Sequence, residues 1–66
     1  MRNNIKVERA KKNITQQELA EKVGVSRQTI NSIESNRYIP STTLALKLSH
    51  FFKTSVNAIF ELEDDE

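Results

Sequence analysis

Apolar residues recur along this chain mostly at helical spacing. Leu19, Ala20 and Val23 share one helical face, as do Ile30 with Ile33 and Leu44 with Leu48. Capping residues set the boundaries between these faces. Ile5 to Lys12 reads as a first helix, with Ile5 and Arg9 on one face and Asn13, tolerant of the left-handed conformation, at its end. Thr15-Gln16-Gln17-Glu18 is a capping box, in which the Thr15 hydroxyl caps the backbone and Glu18 reaches back. It opens a second helix over 16–23 that stops at Gly24. Ser26 caps a third helix reaching Ser35, and Asn36 suits its left-handed exit. Pro40 precedes Ser41, the cap of a fourth helix from Thr42 to Phe52. Thr54 or Ser55 caps a short fifth helix through Ile59. Only Phe60-Glu61-Leu62-Glu63 alternates with a strand period, and its expected partner is the segment Arg2 to Asn4. The spacing predicts a core of Ile5, Leu19, Ala20, Val23, Val25, Ile30, Ile33, Leu44, Leu48 and Ile59.

The predicted fold is therefore all-α: five helices in a single domain over residues 1–66, with a small two-stranded sheet made by the chain termini. One glycine and one proline argue against long loops and many-stranded folds. The absence of cysteine excludes disulfides and thiolate metal sites. A lone His50 cannot build a metal centre, so no metal and no cofactor are expected. No stretch approaches the roughly 20 apolar residues of a membrane span, and the N-terminus shows no signal-peptide pattern. A cytoplasmic protein is expected. There is no nucleophile–base–orienter set and no glycine-rich phosphate loop, so an enzyme is not expected.

Charge changes the picture through its distribution. Residues 1–53 hold all ten Lys and Arg against four acids, a balance of +6; residues 54–66 hold five acids and no base. A basic body with an acidic tail fits a polyanionic partner and also fits an ordinary solvated surface.

The helix pair 16–35 decides between those readings. Gly24 permits a sharp turn, Ala20 permits close approach, and Val25 sits in the turn. These are the steric needs of a helix-turn-helix, whose second helix enters the major groove. At about 100° per residue, the direction opposite Ile30 and Ile33 holds Gln28, Asn31, Ser32 and Ser35. Arg27 flanks them in the first turn. Gln and Asn can fork onto adenine N6 and N7, and Arg onto guanine O6 and N7. Gln28 is the expected base reader. Arg27 reads a base or binds phosphate, and Ser32 reaches a base only through water.

The run from Gln16 to Glu34, Gln16-Gln17-Glu18-Leu19-Ala20-Glu21-Lys22-Val23-Gly24-Val25-Ser26-Arg27-Gln28-Thr29-Ile30-Asn31-Ser32-Ile33-Glu34, closely resembles the helix-turn-helix of the Cro and lambda-repressor-like, or xenobiotic response element, family. The likeness extends to about Phe60 and includes Arg9. Within the family the chain is most similar to short, stand-alone cytolysin-type repressors. Asn36 departs from the Gly of many relatives, but both residues accept the left-handed conformation. The resemblance implies a structural ion pair between Arg9 and Glu34, with a phosphate contact as the other role open to Arg9. It implies phosphate contacts at Gln16 and at Asn36, Arg37 and Tyr38, with Ser41 and Thr42 as further candidates. Thr29 touches phosphate or a thymine methyl, or is simply a surface residue. The implied partner is double-stranded DNA carrying a pseudo-palindromic operator. The implied protein is a homodimeric regulator, expected to be a repressor, with a C-terminal seam. The apolar residues furthest along the chain from the third helix, Val56, Ile59, Phe60 and Leu62, are its expected members. The alternative is an antitoxin-like interaction module that binds DNA secondarily and uses its acidic tail for a protein partner.

Overall fold

The computed structural model describes all residues from Met1 to Glu66. In chain order the elements are β1 (Arg2–Asn3), α1 (Ile5–Lys12), α2 (Gln16–Val23), α3 (Arg27–Glu34), α4 (Thr42–Phe52), α5 (Val56–Ile59) and β2 (Phe60–Glu61). The two strands pair antiparallel, with Arg2 opposite Glu61 and Asn3 opposite Phe60. Five helices and a terminal sheet are the architecture that the capping signals and the C-terminal alternation predict.

The caps act as their chemistry requires. Thr15 accepts from the Glu18 backbone N–H while the Glu18 carboxylate accepts from the Thr15 backbone N–H, closing the capping box. Ser26, Ser41 and Ser55 each accept from the backbone N–H three residues on. At the other ends, Asn13, Gly24 and Lys53 terminate α1, α2 and α4 in the left-handed region, and Asn36 takes the same conformation at φ 64° just after α3. Gly24 is the position where this matters most, because α3 begins three residues later and the chain must reverse within that space.

The core gathers one face from every helix. Leu19, Ala20 and Val23 of α2 meet Ile30 and Ile33 of α3, and Ile5 of α1, Leu44, Leu48 and Phe52 of α4 and Ile59 of α5 close around them. No side-chain polar atom is buried without a partner. Val25 is only half-buried, since the turn that places it beside the core leaves its other side to solvent.

The C-terminus divides the residues of the expected seam between core and surface. Ile59 and Phe60 are 1% and 8% exposed because both pack into the protomer's own core. They offer no free surface to a second copy. Phe60 points inward as the buried position of β2. Strand pairing then stops at Glu61, so Leu62 leaves the alternation and stands 67% exposed. Of the four expected seam residues, Leu62 is exposed and Val56 half-buried.

The acidic tail folds back on the start of the chain. Glu66 accepts from the Met1 ammonium at 3.0 Å, Glu63 lies 3.5 Å from it, and Arg2 pairs with Glu61. The Glu66 carboxylate holds the Met1 amine above its ordinary range. Glu66 is itself held low, first by the Glu63 backbone N–H and then by that ammonium. Both groups are exposed, and this clasp contributes little to stability.

Candidate nucleic-acid interface

α3 is two-faced because its sequence is. Ile30 and Ile33 are buried, whereas Arg27, Gln28, Asn31 and Ser35 are exposed and Ser32 is half-buried. The geometry therefore brings Arg27, Gln28 and Asn31 to the solvent side of one rigid helix. Thr29 lies at the flank, half-buried, with its backbone N–H and its hydroxyl both bonded to Ser26. That engagement makes Thr29 a capping partner before anything else.

The position of α3 is fixed from behind by charge. Arg9 of α1 grips Glu34 in a bidentate fork, Nε to Oε2 at 2.6 Å and Nη2 to Oε1 at 3.0 Å, and its Nη1 donates to the Ile14 carbonyl at 3.0 Å. The two side chains are 14% and 6% exposed. The Glu34 carboxylate raises the Arg9 pKa above its ordinary value against the opposing effect of burial. Three of the five guanidinium N–H groups are thereby engaged within the protein.

Gln16, at the N-terminus of α2, joins this arrangement. Its side-chain amide donates to Glu34 Oε1 at 3.1 Å and to Asn31 Oδ1 at 3.3 Å. With Arg27 it borders a shallow depression lined also by Arg9, Thr15 and Gln17. The backbone N–H groups in the first turn of α2 carry the partial positive charge of the helix end. At the far end of α3, Asn36, Arg37 and Tyr38 are all exposed. The Arg37 backbone N–H donates to the Ser32 carbonyl at 2.9 Å, and its Nε to Ser35 Oγ at 3.0 Å, so this loop is braced against the helix it follows. The Ser41 hydroxyl accepts from the Leu44 N–H as the α4 cap, and Ser41 and Thr42 are both exposed.

Asn3 is a contributor that sequence reasoning passed over. Its Nδ2 donates to the Ile33 carbonyl at 2.9 Å and to Asn36 Oδ1 at 3.0 Å, and its Oδ1 accepts from the Ile5 N–H. It ties the terminal strand to the exit of α3. Its partners lie 30 and 33 residues away, and no local pattern in the sequence marks them.

A helix capped at Ser26, turned at Gly24 onto α2 and polar on its outer face is the decisive geometry, and a helix-turn-helix family model matches residues 5–59. The chain belongs to the Cro/lambda-repressor-like helix-turn-helix family. An HTH-type transcriptional regulator of Methanocaldococcus jannaschii is 52% identical over 66 residues, the whole of both chains. One from Archaeoglobus fulgidus is 46% identical over 66 residues, all of this chain and 93% of the relative. YgzD of Bacillus subtilis, also an HTH-type transcriptional regulator, is 42% identical over 65 residues, 98% of each chain. The family is one of transcriptional regulators rather than enzymes. No helix of this helix-turn-helix protein is long and apolar enough to cross a membrane.

Proposed function

We propose that the chain is a sequence-specific repressor that binds double-stranded DNA in the cytoplasm as a homodimer on a pseudo-palindromic operator. The observation that carries this reading is the outer face of α3. Arg27, Gln28 and Asn31 stand exposed on a helix whose inner face is locked by Ile30, Ile33 and the Arg9–Glu34 fork. Arg27 and Gln28 supply forked donors and acceptors to base edges, and Asn31 and Ser32 border them. Around this face the first turn of α2 at Gln16 and the Asn36-Arg37-Tyr38 loop supply phosphate contacts, which set register but carry no base information. Thr29 lies between the two sets.

One protomer measures 32 × 22 × 21 Å and presents one reading helix. Two half-sites about 34–36 Å apart on one face of the duplex need a second copy. The seam available for it is Val56 and Leu62, beside the terminal sheet.

The test is selection of duplexes from a randomised pool, followed by salt titration on the selected and on a random duplex. Gln28→Ala is expected to weaken the selected duplex by roughly 1–3 kcal/mol and to relax preference at one base pair. Arg37→Ala is expected to weaken both duplexes alike and to lower the salt slope by about one. Discrimination that survives Gln28→Ala intact removes Gln28 as the reader.

A further inference from the structure

A second face of the molecule is apolar and basic at once, and no residue of it comes from α3 or from the loop that follows. The last turn of α2 and the outer side of α4 leave an open groove of about 660 Å³ between them. Val23 and Gly24 line it from α2, and Leu46, Lys47, His50 and Phe51 from α4. Val23 is buried, Phe51 is half-buried, and Leu46 stands 56% exposed. A side-chain carbon placed on Gly24 would meet nothing within 4 Å, so the groove is open at that end. Lys22 and Lys47 stand on the two walls, and Lys12 reaches in from α1 with its Nζ 5.3 Å from the Phe51 ring centroid. None of these three lysines is in an ion pair. The one acid at the edge, Glu21, accepts from the Gln17 amide at 3.1 Å. The α4 lining runs from Thr43 to His50, which is two helical turns or about 10 Å at 1.5 Å per residue.

These features select among occupants. Phosphate binding uses the lysines but has no need of an apolar floor. A bilayer surface needs apolar side chains that protrude, and Val23 is buried in the floor. A small molecule needs enclosure on most sides, and this groove is open. An amphipathic helix with apolar residues at i, i+3, i+4 and i+7 and carboxylates beside them matches the length, the floor and the charge together. We propose that the α2–α4 groove docks an acidic amphipathic helix of a partner protein, with its apolar residues against Val23, Leu46 and Phe51 and its carboxylates against Lys12, Lys22 and Lys47. The groove shares no residue with the outer face of α3, so a partner seated there leaves the candidate base-reading side chains uncovered. The site does not depend on the DNA-binding reading above.

The experiment titrates the full, isotope-labelled chain by NMR with a synthetic peptide of about four helical turns, acetylated and amidated. The peptide carries Leu at i, i+3, i+4 and i+7 and Glu or Ala elsewhere. Saturable shifts are expected at the amides of Val23, Gly24, Leu46, Lys47 and Phe51, with Gln28 and Asn31 unmoved. Lys22→Gln with Lys47→Gln is expected to weaken the peptide roughly fivefold to tenfold, and added salt to weaken the wild-type complex. Leu46→Ala, at an exposed position, is expected to weaken it roughly fivefold while circular dichroism shows the fold unchanged. No saturable shift, shifts confined to other faces, equal binding of a peptide with Lys in place of Glu, or full affinity in the double lysine variant overturns the proposal. Each competing occupant overturns it as well. A salt slope on a random duplex lowered by about two in the double lysine variant assigns the lysines to phosphate. Binding of wild type to phosphatidylglycerol vesicles that this variant loses assigns them to a membrane. Groove shifts that grow with protein concentration and vanish on deletion of residues 62–66 assign the groove to the tail of a second copy.

Discussion

At the scale of single residues, the molecule depends on one charged pair that water barely reaches. Separating such a pair leaves a desolvated charge without its partner, which costs far more than the pair contributes over an apolar substitute. Glu34→Ala is therefore expected to destabilise the fold by about 3 kcal/mol. In a domain of this size each kcal/mol lowers the melting temperature by roughly 4–8 °C, so thermal unfolding followed by circular dichroism reads the loss directly. Glu8→Ala, which breaks the exposed contact to Lys11, is the matched control and is expected to change stability by under about 1 kcal/mol. The two partners of the fork were legible in the sequence through resemblance, since Arg9 and Glu34 stand where the family joins its first and third helices. The amides hung on that fork were not. Gln16 and Asn31 are 15 residues apart, each is an ordinary polar surface residue by type, and only the packing of α2 on α3 puts one within reach of the other.

At the scale of elements, α4 shows why the helices were easy to read and the extent of the C-terminal strand was not. Leu48 is fully buried and Leu46, two positions away, is 56% exposed, as a helical repeat requires. Leu48→Ala is expected to cost about 2–5 kcal/mol and Leu46→Ala under about 0.5 kcal/mol, measured by urea denaturation. Helices declare themselves in this way because cap, repeat and stop signal all lie within a few consecutive residues. A strand at the end of the chain has only its alternation, and how far that alternation runs depends on a partner strand elsewhere. Here β1 pairs only through Arg2 and Asn3, so β2 ends at Glu61 and the second apolar residue of the alternation, Leu62, falls outside the ladder. Phe60 was expected at a seam for the same reason. Nothing near it in sequence reveals that the sheet turns it inward.

At the scale of the whole molecule, the basic body and acidic tail occupy separate ground. All five tail acids lie at or beyond β2, and three of them, Glu61, Glu63 and Glu66, face Arg2 or the Met1 ammonium, so their charge is partly answered at the start of the chain. Dimerisation belongs to this scale and has a clean test. Sedimentation at micromolar concentration is expected to show a wild-type dimer and a Leu62→Lys monomer of unchanged helicity, because Leu62 contributes nothing to the protomer core. Phe60→Lys is expected to unfold the protein instead, since a lysine cannot occupy that buried site. A wild-type monomer, or a Leu62→Lys dimer, removes Leu62 from the seam.

The pairing of Arg2 with Glu61 has a consequence for how the chain is threaded. Two ends that meet in one ladder make the backbone nearly a closed ring, broken at a single seam. The helices are then held by what they touch rather than by which comes first. Bridging the seam with a short Gly/Ser linker and cutting the ring in the exposed stretch at Tyr38 and Ile39 gives a circular permutant that begins with α4 and ends just after α3. Every core contact of the natural order survives in it. What changes is the free end, which would emerge at the end of α3 and, on the DNA-binding reading proposed above, offer a place to attach a cleaving or labelling group close to the duplex.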